Sequence, residues 1–223
     1  MNNIWEVMTA HFWQLMIKGL TVTLPLTAAS FTLGLLIAVF TALVQFSNVP
    51  YLKQIARFYI WIIRGTPLLV QLYVLFYLLP SIGILLPPIP TAILALSLNE
   101  GAYSAETIRA ALESVDAGQL VAGYCVGMSY GQIMRKIVLP QAMRTAFPPL
   151  GNSLISMLKD TSLVANITVV EMMMEARRIT GQNFQTLAMY LDVAVIYLIF
   201  STLLTFLQRY GERKLNERGV KRA

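Results

Sequence analysis

A few polar side chains interrupt the long apolar segments of this 223-residue chain. Charge inside such a segment is costly, so these residues mark candidate functional positions. Carboxylates, amides and hydroxyls together can bind a small polar ligand. The candidates for a ligand path are Asn99, Glu100, Met157, Asp160, Thr161 and Ser162. Lys159 and Asp192 also lie within apolar segments.

Two interpretations of these charges remain open from the sequence. Lys159 and Asp160 are adjacent, and adjacent helical residues do not face each other, so each needs a separate partner. In one interpretation Lys159 pairs with Glu100 or another acid and only neutralises buried charge. In the other, the segments that carry Glu100 and Asp160 line a central cavity. Met157 either contacts an aliphatic or sulfur-containing ligand there or fills a gap in the core.

Composition indicates a membrane protein with one domain, residues 1 to 223. Hydrophobic residues make up 57% of the chain, charged residues 13%, and the mean hydropathy is +0.63. The net charge of +6 does not indicate nucleic-acid binding, because the basic residues lie at the edges of apolar segments. Cys125 and His11 are the single residues of their types, so we expect no metal site, no bound cofactor and no catalytic cluster.

Five segments are apolar enough to predict membrane-spanning helices of about 20 residues each. They cover residues 19 to 46, 58 to 79, 89 to 110, 148 to 170 and 187 to 208. Pro67 is expected to bend the second span. Gly34, Gly65 and Gly101 are expected to allow close helix approach. Residues 1 to 18 lack a basic leader and suit an interfacial stretch that is retained rather than cleaved.

The distribution of basic residues predicts the orientation. Twelve Lys and Arg residues fall in segments 47 to 58, 109 to 146 and 209 to 223, against three in segments 1 to 18, 80 to 88 and 171 to 186. The positive-inside rule therefore places the N-terminus outside and the C-terminus in the cytoplasm. The longest cytoplasmic segment contains the stretch "AGYCVGMSYGQIMRKIVLPQA", residues 122 to 142.

This cytoplasmic segment carries helix signals of its own. Asp116 with Gln119 and Ser129 with Gln132 have the spacing of capping boxes, so we expect two short helices separated at Gly127. The second should present Ile133, Met134, Ile137 and Val138 on one face and end at Pro140. Such an element either rests on the lipid surface or serves as a contact for a cytoplasmic partner.

At this point four stretches resemble a known family. Val121, Ala122 and Gly123, then Gly127, then Ile137, Leu139 and Pro140, have the spacing of the EAA loop of bacterial ATP-binding cassette importer permeases. "RGTPLLVQL", "AYSAETIRAALESVDAGQ" and "LPQAMRTAFPPLGNSLISMLKDTSL" resemble the polar amino acid branch. The resemblance covers about residues 15 to 210. The usual Glu of the loop is Val121 here, and its third position is Gly123.

The resemblance implies an all-α, type I importer transmembrane fold in the bacterial cytoplasmic membrane. It implies that residues 114 to 142 form a coupling loop that docks on a separate ATPase, since the chain has no phosphate-binding loop of its own. The implied partners are two ATP-binding subunits that carry ATP and Mg, a second permease chain and an external solute-binding protein. The substrate would be a polar amino acid, and basic, acidic, amide and sulfur-containing amino acids stay open; L-cystine or another polar zwitterion suits candidate residues of mixed charge.

Two other classes of function fit the sequence less well. An ion-coupled secondary transporter or channel subunit would also explain the intramembrane charges, but no inverted repeat is visible in the sequence. A membrane enzyme would need a clustered nucleophile and base, which the sequence does not offer. The source of energy discriminates between the two transporter classes.

Overall fold

Apolar residues recur at helical spacing along most of the chain, and the described backbone is helical with no β-strand. The structure is a computed structural model that describes residues 4–46 and 49–220. Residues 1–3, 47–48 and 221–223, parts of the predicted N-terminal stretch, first loop and C-terminal tail, lie outside the described residues. The helices are α1 Ile4–Lys18, α2 Leu24–Phe46, α3 Pro50–Gly65, α4 Leu68–Ser81, α5 Pro88–Glu113, α6 Ala117–Cys125, α7 Tyr130–Ile133, α8 Leu139–Asp160, α9 Met172–Asn183 and α10 Thr186–Val220.

The first predicted span begins earlier than the sequence indicated. A π-helical turn, Gly19–Thr23, joins α1 to α2, so that Ile4–Phe46 forms one helix of 43 residues. One side of α1 is buried through Val7 and Leu15 against Met189 and Ile196 of α10. The predicted interfacial stretch is therefore a packed helix, whose Trp5 and other outward side chains remain exposed.

The helices α2 and α5 form the central packed pair of the protein. A Cβ atom at Gly34 would lie 2.8 Å from the Cβ atom of Glu100, and one at Gly101 would lie 2.6 Å from Ile37. These two glycines permit the close approach that the sequence predicted. Nothing lies within 4 Å of the corresponding position at Gly65, so that part of the prediction is wrong.

The second predicted span is broken rather than bent. The chain direction changes by 107° from α3 to α4, and Thr66 and Pro67 lie between them in extended conformations. The residue before a proline is disfavoured in helical geometry, and proline cannot donate the backbone hydrogen bond that would continue the helix. The bend predicted at Pro67 is present, and it takes the form of a complete break between two helices.

The fourth predicted span also has different limits. Pro140 does not end a helix, because a π-helical turn, Met134–Val138, leads directly into α8. In this turn the N–H group of Leu139 donates to the carbonyl of Met134, five residues back. The wider turn accommodates the proline just inside the following helix. At its other end α8 tightens after Asp160 into a 3-10 helix, Thr161–Ile167.

Two helices of the described chain are long and apolar enough to cross a membrane, Ile4–Phe46 and Thr186–Leu215. Two bent pairs of helices could supply two more spans. One is α3 with α4, and the other is Tyr130–Ile167 with Met172–Asn183, where the chain direction changes by 51°. The helix α5, 26 residues long, corresponds to the remaining predicted span. The five-span arrangement and its orientation remain predictions.

We expect Gly34→Ala to destabilise the protein by about 1–3 kcal/mol, because the added methyl group would overlap Glu100 and approach the backbone oxygen of Ser97 at 3.2 Å. Gly181→Ala is the matched control, since Gly181 also lies in a helix but has nothing within 4 Å of the new methyl group. The thermal unfolding midpoints of the detergent-solubilised variants measure the difference. Equal midpoints would contradict tight packing between α2 and α5.

Candidate ligand cavity and coupling loop

A polar cavity of about 490 Å³ lies where the break between α3 and α4 faces α5 and α8. Hydroxyl, amide and carboxylate groups share its wall with apolar surface in roughly equal parts. The lining residues are Thr66, Pro67, Leu68, Asn99, Glu100, Tyr103, Pro149, Asn152, Ser153, Ser156 and Asp160. Because the broken helix contributes its connecting residues to the wall, the break and the cavity are one structural feature.

The helix α8 contributes a stripe of polar residues to this cavity. Asn152, Ser153, Ser156 and Asp160 are spaced at i, i+1, i+4 and i+8, which places them along one face of a helix. Leu158 is fully buried on the opposite side of the helix, and Met157 is buried beside the stripe. The amphipathic pattern of α8 thus turns its polar face toward the cavity.

Glu100 is only 7% exposed, although it carries an ionisable group in the middle of α5. The fully buried Ser104, one helical turn later, donates a hydrogen bond to Glu100 Oε1. The close approach of Gly34 packs the aliphatic part of the Glu100 side chain against α2. The carboxylate is therefore held in a fixed position at the cavity wall.

Asn99 belongs to a hydrogen-bond chain that reaches the helix break. Its Nδ2 donates to Gln71 Oε1 over 3.0 Å. The Gln71 Nε2 in turn lies 2.7 Å from the carbonyl oxygen of Ile63, 3.0 Å from that of Thr66 and 2.9 Å from Thr66 Oγ1. One side chain of α4 thus joins the C-terminal end of α3 to the cavity wall on α5.

The structure brings three of the six predicted path residues together at the cavity: Asn99, Glu100 and Asp160. Met157 and Thr161 are buried away from it, and the Thr161 hydroxyl donates to the carbonyl oxygen of Leu158 over 2.6 Å. Ser162 is half-buried in the 3-10 segment and does not line the cavity. The participation of all six in a ligand path stays a prediction.

Lys159 does not neutralise Glu100 in this structure. Its side chain is exposed, and among the described residues it takes part in no ion pair within 4.0 Å. The two acids of the cavity, Glu100 and Asp160, are not matched by any Lys or Arg among the lining residues. A wall of carboxylate, amide and hydroxyl oxygens is suited to bind a cationic group.

The predicted path residues do not include Gln71, Asn152, Ser153 and Ser156, which the structure places at the cavity or next to it. For α8 a signal was present, because the three polar residues precede Asp160 at helical spacing within a predicted span. For Gln71 the signal was weaker. An isolated amide four residues after Pro67 in an apolar segment indicates a buried hydrogen bond, but the sequence alone does not identify its partners.

The coupling loop, residues 114 to 142, folds largely as the sequence predicted. Asp116 caps α6 through a hydrogen bond from the backbone N–H group of Gly118, without the predicted contribution of Gln119. Ser129 and Gln132 form the complete capping box at the start of α7. Gly127 separates the two helices at φ +74°, a conformation that favours glycine.

The two short helices pack through a small contact and leave an apolar surface outside. Ile133 is fully buried, and a Cβ atom at Gly123 would lie 2.7 Å from its Cγ1 atom. The large hydrophobic residues exposed around this loop are Val121, Tyr124, Val126, Tyr130 and Leu139. Among the other predicted coupling residues, Ala122 and Gly127 are exposed, and Ile137 and Pro140 are half-buried.

Long apolar helices, a polar cavity beside a broken helix and an exposed helical loop together define an all-helical membrane permease. The chain belongs to the family described as binding-protein-dependent transport system inner membrane component, whose model matches residues 13–217. It is thus a membrane component of a transport system.

Several relatives share most of their length with this chain. The L-cystine transport system permease protein TcyB of Bacillus subtilis (strain 168) is 43% identical over 213 residues, which cover 95% of this chain and 91% of the relative. The arginine transport system permease protein ArtQ of the same organism is 33% identical over 200 residues, 89% of this chain and 91% of the relative.

Solved structures agree with this assignment. A chain from the crystal structure of an amino acid ABC transporter with histidines superimposes with a TM-score of 0.87 at 35% identity, and covers 92% of this chain and 96% of that chain. A chain of the inward-facing MetNI methionine ABC transporter superimposes with a TM-score of 0.76 at 18% identity. The match covers 92% of this chain and 98% of the transporter chain, and it supports the fold alone. The fold is that of a type I ABC importer permease.

We expect Gly127→Ala to destabilise the coupling loop by about 1–2 kcal/mol, because an alanine at φ +74° brings its Cβ atom close to its own backbone. Gly131→Ala is the matched control: the position is equally open, but its backbone is that of helix α7. Hydrogen exchange of the amides in α6 and α7 should quicken in the first variant only. Unchanged protection in Gly127→Ala would contradict the role assigned to this turn.

Proposed function

We propose that this chain is the permease subunit of an importer that moves a polar amino acid across the cytoplasmic membrane, powered by ATP hydrolysis on a separate subunit. The observation that carries this proposal is the acid-lined cavity beside the broken helix, within the fold of a type I importer permease. The names of the relatives, which are amino acid transport permeases, support the class of substrate.

The cavity has the chemistry that an amino acid requires. Glu100 and Asp160 bind its ammonium group, and the hydroxyl and amide groups of Ser153, Ser156 and Asn152 hydrogen-bond its carboxylate. A volume of about 490 Å³ is large enough for a small amino acid and for a disulfide-linked one such as L-cystine. L-cystine is the favoured substrate, because the relative that is 43% identical is a permease for it.

The coupling loop transmits the closure of the ATP-binding subunit to the membrane helices. Its exposed apolar residues, Val121, Tyr124, Val126 and Tyr130, provide the docking surface. The π-helical turn Met134–Val138 connects α7 to α8 without an intervening loop, so that a displacement of the docked helices moves the polar stripe of α8. A rigid helical connection is needed if nucleotide binding is to shift the equilibrium between two arrangements of the bundle.

The assembly requires further chains. Two ATP-binding subunits supply ATP and Mg, since this chain has no phosphate-binding loop. A second permease chain, either a copy of this one or a sister subunit, completes the path. An external solute-binding protein delivers the substrate on the side of the predicted outer segment 80 to 88.

Reconstitution tests the proposal directly. We expect proteoliposomes that hold this chain, its ATP-binding subunit and its binding protein to take up labelled L-cystine or another amino acid only when ATP is enclosed and ion gradients are collapsed. Uptake that instead requires an ion gradient and ignores ATP would reject the importer in favour of a secondary transporter. Arginine and glutamine in the same panel establish the substrate.

We expect Glu100→Gln to lower amino acid uptake about tenfold at a saturating concentration of binding protein, because a hydrogen bond to a charged group contributes roughly 1.5–3 kcal/mol. The substituted amide keeps an acceptor for Ser104, which limits any structural damage. Glu113→Gln on the same helix is the control, since Glu113 pairs with Arg109 over 2.6 Å and lies outside the cavity. Normal uptake across the whole amino acid panel would remove Glu100 from the path.

A further inference from the structure

Gln71 occupies a position that a purely apolar span would not need to fill with an amide. It lies in α4, four residues after Pro67, and is 9% exposed. Its Nε2 atom has three acceptors, all at the end of α3 or in the link to α4, while its Oε1 atom accepts from Asn99. Both ends of one side-chain amide are therefore in use.

The first of these contacts repairs the defect that Pro67 creates. In an α-helix the carbonyl of Ile63 would accept from the N–H group four residues later, but residue 67 is a proline and has none. Gln71 Nε2 donates to this same carbonyl oxygen over 2.7 Å. A carbonyl without a partner in an apolar environment would destabilise the break, so the amide of Gln71 substitutes for the missing backbone donor.

These contacts also fix which way the Gln71 amide points. Carbonyl oxygens of Ile63 and Thr66 only accept hydrogen bonds, so the nitrogen of the amide must face them. Its oxygen then faces α5, and Asn99 must present its own nitrogen to it. A reversed Asn99 would bring two amide oxygens together. The orientation of one side chain thus dictates that of the next.

The remaining polar atom of Asn99 is its Oδ1 oxygen, which accepts no hydrogen bond from any described residue although Asn99 lines the cavity. It lies in the same wall as the carboxylates of Glu100 and Asp160. We propose that Gln71 is a positioning residue that uses the helix break to hold Asn99 with its carbonyl oxygen available to the cavity as an acceptor for an ammonium group.

This inference rests on the proposed function, and it adds a role for the break itself. The carbonyl of Ile63 sets the direction of donors and acceptors along the hydrogen bonds that join Ile63, Gln71 and Asn99. The geometry of the helix break therefore determines which atom of Asn99 is available at the cavity. A movement of α3 relative to α4 would release Gln71 and with it the orientation of Asn99. Ligand binding and the helix break are therefore coupled through one amide.

The test measures binding of labelled amino acid to the purified complex of permease and ATP-binding subunits, without the external binding protein, so that the affinity is that of the cavity. Gln71→Met removes both hydrogen-bonding ends at similar volume, and we expect the Kd to rise about tenfold. Gln54→Met is the matched control, because Gln54 is exposed on α3 and outside the cavity; its Kd should equal that of the unmodified protein.

A double-substitution cycle separates positioning from general damage. If Gln71 acts through Asn99, the variant with both Gln71→Met and Asn99→Ala should bind no more weakly than Asn99→Ala alone. The proposal would be overturned if the increases in Kd of the two single variants multiplied in the double variant, or if the Kd of Gln71→Met were unchanged.

A second variant tests the role of Asn99 even if Gln71→Met fails to fold. Asn99→Ala removes the oxygen that is proposed to accept from the ammonium group, and we expect its Kd to rise about tenfold. An unchanged Kd in Asn99→Ala would overturn the inference while leaving the proposed function in place. Absence of amino acid binding to the unmodified complex would reject the proposed function itself.

Discussion

A helix carbonyl without a backbone donor is the constraint on which the rest of the cavity depends. In an apolar environment each such group is costly, because no water is available to replace the missing hydrogen bond. Here the chain breaks at Thr66 and Pro67, and the orphan carbonyl of Ile63 receives its hydrogen bond from Gln71. The break turns α4 by 107° from α3 and thereby opens the space that the polar faces of α5 and α8 enclose.

The same constraint explains how Pro140 can lie inside a helix. Ahead of Pro140 the chain widens into a π-helical turn, in which Leu139 donates to Met134 and helical hydrogen bonding continues. Side-chain amides also tie helices together. Gln71 joins α4 to α3 and α5, and Gln208 Nε2 of α10 donates to the carbonyl oxygen of Pro148 in α8 over 3.1 Å.

Particular residues show how far the sequence predicts such a structure. Gly34 and Gly101 were placed correctly at close helix contacts, and Ser129 with Gln132 formed the predicted capping box, because these features depend on local geometry and residue size. Gly65 faces open space instead, since spacing does not reveal which face of a helix meets a neighbour.

The sequence alone does not decide the effect of a proline. Pro67 breaks a helix, whereas Pro140 lies inside one, and tertiary contacts decide between the outcomes. Asn99, Glu100 and Asp160 were predicted together because charge in an apolar segment is conspicuous, but Gln71 became recognisable only once its partners were known.

The charge balance of the cavity supports a role in binding a cationic group. If its acids served only to stabilise the fold, a nearby base should neutralise them, because an unpaired buried charge costs more than the pair contributes. Lys159, adjacent to Asp160 in the chain, is instead exposed and makes no ion pair with any described residue. Glu100 is held by Ser104, a neutral donor, and Asn99 is held through its nitrogen, so that its oxygen remains an available acceptor. Serine and amide groups thus position these side chains without supplying a basic partner, and the cavity can bind a cationic group that comes from outside the chain.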